Sequence, residues 1–239
     1  MIRMSRRFRT FLGILAGICF CVAVLTGITR FLACDAGIME QIMRKNAPPE
    51  ETLLPEAEYG GMNRMITGYL AGTTEEFQYI FSENGSEFLC FQPHEQAHMA
   101  DCRQLIRLDG LVFLLCCGTL AVCLLTGLTG KKRTGFAKAF LTGLAAAALL
   151  LIAGVIMAVI DFDRFFTLFH RLAFSNDLWL LDPRTDLLIR LMPETFFTEY
   201  GIVGGVSAGV LLTAAAVPAA ILAMKEKRAP SGTRNGETV

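Results

Sequence analysis

Four stretches of the chain run almost without ionisable residues: 11–33, 111–128, 139–160 and 201–224. The one charge inside them is Arg30, near the end of the first. A helix needs about 20 apolar residues to cross the ~30 Å hydrocarbon core of a bilayer. Each run reaches that length once the second is extended to 109–129. A backbone in lipid must satisfy its own hydrogen bonds, so the pattern predicts four membrane-spanning helices. Glycine and alanine are frequent in them, which favours close helix packing. Gly205-Val206-Ser207-Ala208-Gly209 matches the G-x-S-x-G nucleophile elbow, but that motif needs a strand-to-helix turn. Inside an apolar span it reads as small-residue helix packing.

The polar–apolar pattern changes in the two long connections, 34–108 and 161–200. Residues 47–51, Ala-Pro-Pro-Glu-Glu, read as a loop. Met65, Ile66, Tyr69 and Leu70 give residues 63–70 the spacing of a short amphipathic helix. The runs 76–81 and 86–91 flank Glu83-Asn84-Gly85, a hairpin signal. After Pro93 a helix begins that leads into the second span. In the second connection Phe162, Phe165, Phe166, Phe169 and Ala173 recur at helical spacing, with His170 at the edge of the stripe. Trp179, the only tryptophan, and Phe196-Phe197 follow. So aromatic a segment suits the membrane interface, either as an anchor or as the wall of a lipid-chain pocket lined by Phe165, Phe166 and Phe169. The expected architecture is an all-α four-helix membrane bundle over residues 1–239, one integral domain with a small α/β cap formed by the two connections.

Composition supports this reading. Apolar residues make up 53% and charged residues 18%, and mean hydropathy is +0.48. A disordered chain is excluded, and no basic footprint for nucleic acid is present. The formal net charge of zero conceals a segregation. The N-terminal flank (Arg3, Arg6, Arg7, Arg9), the short link after the second span (Lys131, Lys132, Arg133, Lys138) and the C-terminal tail (Lys225, Lys227, Arg228, Arg234) are basic, with only Glu226 and Glu237 as acids. The rest of the chain is acidic. Positive flanks stay cytoplasmic, so both termini are expected inside and both long connections outside. The first run is too long for a signal-peptide core, and bulky Leu32 opposes cleavage before Cys34. The eight cysteines make no disulfide framework; only Cys34, Cys90 and Cys102 lie outside the spans, and no spacing demands a pair among them.

All three histidines fall in the external connections. His94-Glu95-Gln96-Ala97-His98 matches H-E-x-x-H, which on a helix presents two imidazoles to zinc and a glutamate to its water. A third ligand is not dictated by spacing; Asp101, Cys102 and His170 are the options. The alternative is a histidine acid/base site. His98 has Glu95 three residues before and Asp101 three after, and a carboxylate beside an imidazole orients it and favours its cation. A third reading is a non-enzymatic membrane protein; spans this free of ionisable groups speak against an ion pathway.

The residues Glu95-x-x-His98-Met99-x-Asp101, Phe169-His170, Trp179-Leu180-Leu181-Asp182-Pro183, Thr185-Asp186-Leu187-Leu188-Ile189 and Pro193-Glu194-Thr195-Phe196-Phe197 resemble the Lit-type lipoprotein intramolecular transacylases, integral membrane proteins of Gram-positive bacteria. The likeness covers most of the chain, is weakest over 36–93 and does not depend on His94. It implies transfer of the sn-2 acyl chain of a diacylglyceryl-cysteine lipoprotein to the cysteine α-amino group, on the outer face of the cell membrane. The product is a lyso-form lipoprotein. The implied partners are the diacylated lipoprotein N-terminus and membrane lipid, with no nucleic acid, no cofactor and no metal. His98 and His170 map to the two catalytic histidines, with Glu95, Asp101, Arg171, Trp179, Asp182 and Asp186 in support. Arg171 and backbone amides are candidates for the oxyanion donor.

Overall fold

The computed structural model of the chain describes residues 5–128 and 133–225. Arg3, Lys131, Lys132, Glu226, Lys227, Arg228, Arg234 and Glu237, on which the charge pattern partly rests, lie outside the described residues, as does Thr129 at the expected end of the second span. In chain order the elements are α1 (Arg6–Cys34), α2 (Ala36–Asn46), α3 (Pro49–Thr52), a 3-10 turn (Glu56–Glu58), α4 (Tyr59–Ala71), β1 (Ile80–Glu83), β2 (Ser86–Leu89), α5 (Pro93–Gly127), α6 (Arg133–Ile160), α7 (Phe162–Ala173), α8 (Leu187–Leu191) and α9 (Glu194–Met224). The fold is mostly helical, and α1, α5, α6 and α9 are long and apolar enough to cross a membrane. Each of the four predicted spans lies within one of them, apart from the end of the second, where Leu128 caps α5 and Thr129 lies outside the described residues.

α1 is the central helix, packed against α5, α6 and α9. Its contact with α6 depends on glycine. A Cβ on Gly17 would collide with the backbone of Phe140 and Leu144, and one on Gly143 with the backbone of Ile14. Around this approach Leu12, Ala16, Cys21, Cys123, Phe136, Phe140 and Leu144 form one apolar cluster. The glycines singled out on α9 do not behave this way: a Cβ on Gly205 or Gly209 meets nothing within 4 Å. The close small-residue packing therefore lies between α1 and α6 instead. Gly17→Leu is expected to cost about 1–3 kcal/mol by overpacking. An unchanged thermal unfolding midpoint in detergent would contradict the tight α1–α6 approach.

A second apolar cluster gathers the end of α1, the start of α5, the start of α9 and the short elements between the long helices. Met43, Tyr59, Met62, Ile66 and Leu191 are fully buried in it. The hairpin forms with Ile80 opposite Leu89 and Glu83 opposite Ser86. Asn84 and Gly85 turn it with positive φ (52° and 79°), the conformation a two-residue hairpin turn requires. The helix expected over 63–70 extends to Tyr59–Ala71. Part of the expected 47–51 loop is helical: α3 starts at Pro49, where a fixed φ and two following glutamates favour a helix N-terminus. α2, not anticipated from the sequence, buries Met39, Ile42 and Met43 and starts behind Asp35, whose carboxylate accepts from the Ile38 N–H at 2.8 Å. No disulfide links Cys34, Cys90 or Cys102.

Candidate functional site

α5 extends well beyond its apolar run, and residues 93–108 carry the polar motif. Pro93 occupies the first helical position, and the Gln92 N–H donates to Glu95 Oε2 at 2.7 Å. The other oxygen of Glu95 accepts from the Leu188 N–H at 2.7 Å, bridging to the first turn of α8. Glu95 is fully buried. Burial pushes its carboxyl up in pKa, against the two amide bonds, which favour the charged form. His94 turns toward Asp186, Nε2 to Oδ2 3.0 Å. Asp186 is buried and also accepts from the Asp182 N–H and the Thr185 hydroxyl, both at 2.8 Å. Its burial acts upward, but these hydrogen bonds, led by that of His94, outweigh it and hold the carboxyl below its ordinary range.

His98, one turn along α5, engages a different partner. Its ring lies 6.1 Å from that of His170 on α7, centroid to centroid, and both residues are only 7% exposed. α7 starts at Asp161, whose carboxylate caps the Arg164 N–H at 3.0 Å. His170 Nδ1 lies 2.8 Å from the Phe166 carbonyl oxygen. A carbonyl only accepts, so Nδ1 carries the proton and the neutral ring keeps its lone pair at Nε2. Aromatic rings enclose the pair. Phe166 is 3.9 Å from the His170 ring, Trp179 stacks at 5.0 Å and 29°, and Phe169 meets it edge-on at 5.2 Å. Phe174 touches both imidazoles, at 5.2 Å and 5.5 Å. The Trp179 indole N–H donates to the Asn176 carbonyl at 3.0 Å, which fixes its plane.

Burial and the neighbouring His170 drive the His98 pKa down to about 4, against the pull of Asp101. Burial likewise lowers His170, against its bond to Phe166. Both imidazoles are therefore neutral at neutral pH and able to accept a proton. Cys102 Sγ is 3.6 Å from His98 Nε2, and burial pushes this thiol up to about 12. His98 Nδ1 is buried with no partner.

The structure brings together His98, His170, Phe166, Phe169 and Trp179. Other expected neighbours stand elsewhere. Glu95 does not orient His98; both its oxygens serve backbone amides. Arg171 is exposed on α7. Asp182 binds Arg184 at 2.6 Å, and that guanidinium holds its carboxyl down at about 2. Phe165 is half-buried and joins none of the ring contacts around His170. Asp101 accepts from Asn176 Nδ2 at 2.8 Å, tying α5 to the segment after α7. As for the zinc pattern, His94 and His98 engage different partners and Glu95 offers no free oxygen. Among the described residues no three His, Cys, Asp or Glu side chains converge as a ligand set. Phe174 and Asn176 were not anticipated as neighbours of the histidine pair, and Cys102 was weighed only as a zinc ligand; Phe174 and Cys102 each lie four residues after a histidine, the helical spacing that places them there.

The overall arrangement has known counterparts. The structure of the membrane integral lipoprotein intramolecular transacylase Lit from Bacillus cereus superposes with a TM-score of 0.70 at 16% identity, covering 94% of this chain and 99% of that one. A histidine-to-alanine variant of it gives 0.71 at 16% identity over 93% and 97%. A histidine-to-arginine variant gives 0.66 at 18% over 93% of each. At such identities the likeness is one of fold. No curated protein sequence matches the chain. The family model of lipoprotein intramolecular transacylase Lit matches residues 14–197, well over half the chain. The chain is thus a membrane-integral enzyme that belongs to the Lit family of lipoprotein intramolecular transacylases.

Proposed function

We propose that the chain moves the sn-2 acyl chain of a diacylglyceryl-cysteine lipoprotein onto the cysteine α-amino group, with His98 and His170 as the acid/base pair. The observation that supports this is the pair itself: two buried, neutral imidazoles side by side in an aromatic enclosure. The site lies on the outer face of the cell membrane, with both termini in the cytoplasm and the whole chain acting as one integral domain. The basic flanks of α1 and α6 support that orientation. Phe166, Phe169 and neighbouring Phe197 wall the acyl chains.

An α-amino group has pKa about 7.7–8.0, so at neutral pH it must lose a proton before it can attack. His170 Nε2 is the base, because Nδ1 is committed to the Phe166 carbonyl. Attack forms the N–C bond; collapse of the tetrahedral centre breaks the ester C–O bond. As the N–C bond forms the nitrogen gives up its second proton to the pair as well. Of the two protons taken from nitrogen, one leaves on the glycerol oxygen by way of His98 and the other is released to water, so both imidazoles return to neutral. An ester becomes an amide, so no outside energy source is required. The aromatic walls bring the two ends of one substrate together, an advantage of several kcal/mol.

The test is turnover of a synthetic diacylglyceryl lipopeptide by purified protein, read by mass spectrometry as migration of one acyl chain from glycerol to nitrogen. His94→Ala is expected to retain activity within about threefold, because that side chain faces Asp186 and not the histidine pair. Loss of activity in that variant, together with inhibition by a chelator, would instead favour a zinc-dependent site built on His94, Glu95 and His98.

A further inference from the structure

One turn beyond His98, a notch of about 210 Å³ opens between α5 and the segment that follows α7. Asp101, Gln104 and Leu105 form one wall; Phe174, Ser175 and Asn176 form the other. Phe174 is shared, because its other contacts are the two imidazoles. The notch therefore adjoins the histidine pair and is separated from it by a single ring. Its polar character contrasts with the phenylalanine side of the site. A larger cavity of about 430 Å³ beside Arg30 and Phe113 is lined by neither histidine.

Asp101 is the only charged group in this notch. Asn176 donates to its Oδ2, but among the described residues no cation pairs with it and no donor reaches Oδ1. The groups around it are His98 and Cys102 on α5, with His170 beyond His98. The facing segment brings the uncharged Ser175 and Asn176, followed in the chain by Asp177. A carboxylate with an unused acceptor oxygen, one helical turn from His98 of the catalytic pair, suits a small cation that carries its own donors.

We propose that this notch is the subsite for the substrate's α-ammonium group and the first residues of its polypeptide, with Asp101 as the counter-ion. The inference rests on the transacylase reading above. The ammonium docks on Asp101, then gives its proton to the imidazole as it approaches the ester. The polypeptide leaves along the notch, away from the acyl chains. The product nitrogen is a neutral amide, so its attraction to Asp101 is lost and release is favoured.

The test uses full-length protein and a lipopeptide whose sn-2 ester is replaced by an ether, so that no acyl group can move. It is prepared with a free and with an acetylated N-terminus, and both forms are measured by direct binding. At pH 7 the wild type is expected to bind the free-amine form about tenfold more tightly, as for one charge-assisted contact. At pH 9.5, above the amine pKa of about 7.7–8.0, that preference should shrink toward unity. Asp101→Asn should reduce it to within about twofold at pH 7, and Asp101→Glu should restore it in part. A preference that survives Asp101→Asn, or that is equal at both pH values in the wild type, overturns the proposal. The wild-type pH comparison stands even if the variant fails to fold. A wild type that binds the analogues but never turns over the ester would refute the transacylase reading, with the ammonium preference still readable.

Discussion

His170→Ala and His98→Ala are each expected to lower lyso-lipoprotein formation by about 10²–10⁴-fold, the usual contribution of a positioned acid or base. Acid/base pairs that work as a unit are not additive, so the double variant should be little worse than either single one. The losses should not come from unfolding. His170 bonds to a carbonyl within its own helix, and its other neighbours are aromatic rings that can partly close the gap. Thermal unfolding of each variant in detergent separates the two effects. The assay is the mass of the N-terminal peptide of a reporter lipoprotein, made in cells that carry each variant as their only copy. A lyso-form yield unchanged in both single variants would remove the two histidines from the mechanism.

How much of this site could be read from the sequence depends on the range of the signal. The four spans are legible because twenty apolar residues in a row have few other uses. The Phe162–Ala173 helix is legible because its period is local, and Asn84-Gly85 is legible because few residues accept positive φ twice in succession. The meeting of His98 with His170 is different. Periodicity says nothing about contacts between distant segments, and only family resemblance linked the two. Glu95 shows the same limit from the other side. Three residues before His98 it reads as an orienting carboxylate, yet its partner is an amide 93 positions away. Helical spacing gives which residues can be neighbours; the start of α8, placed by its own buried leucines, decides which neighbour wins. The α1–α6 glycines follow this rule as well. Gly13 and Gly17 share the G-x-x-x-G spacing of Gly205 and Gly209, but only the α1 pair has an opposing helix.

Glu95→Ala is expected to be the most destabilising polar substitution near the site. It removes the acceptors of two backbone N–H groups at once. The Leu188 N–H sits in a buried residue and is left without a partner, at about 1–3 kcal/mol. The Gln92 N–H is nearer water, and its loss resembles a missing helix cap, about 0.5–2 kcal/mol. Together these give about 1.5–5 kcal/mol, a large share of the stability of most domains. The start of α8 would be released from α5, and with it Leu187, Leu188 and Leu191, all buried in the cluster that also holds Met99 of α5. Activity should fall as a consequence, through displacement of the 174–186 segment that carries Trp179 and Asn176. Glu95→Gln discriminates the causes. Its amide oxygen can serve one of the two N–H groups, and its NH2 group faces the other, so it should recover about half of the lost stability and a matching part of the activity. A carboxylate acting directly on His98, or on a metal-bound water, predicts a different pattern: Glu95→Gln as stable as the wild type and inactive. Unfolding midpoints and turnover measured on the same two variants decide between a strut and a catalytic carboxylate.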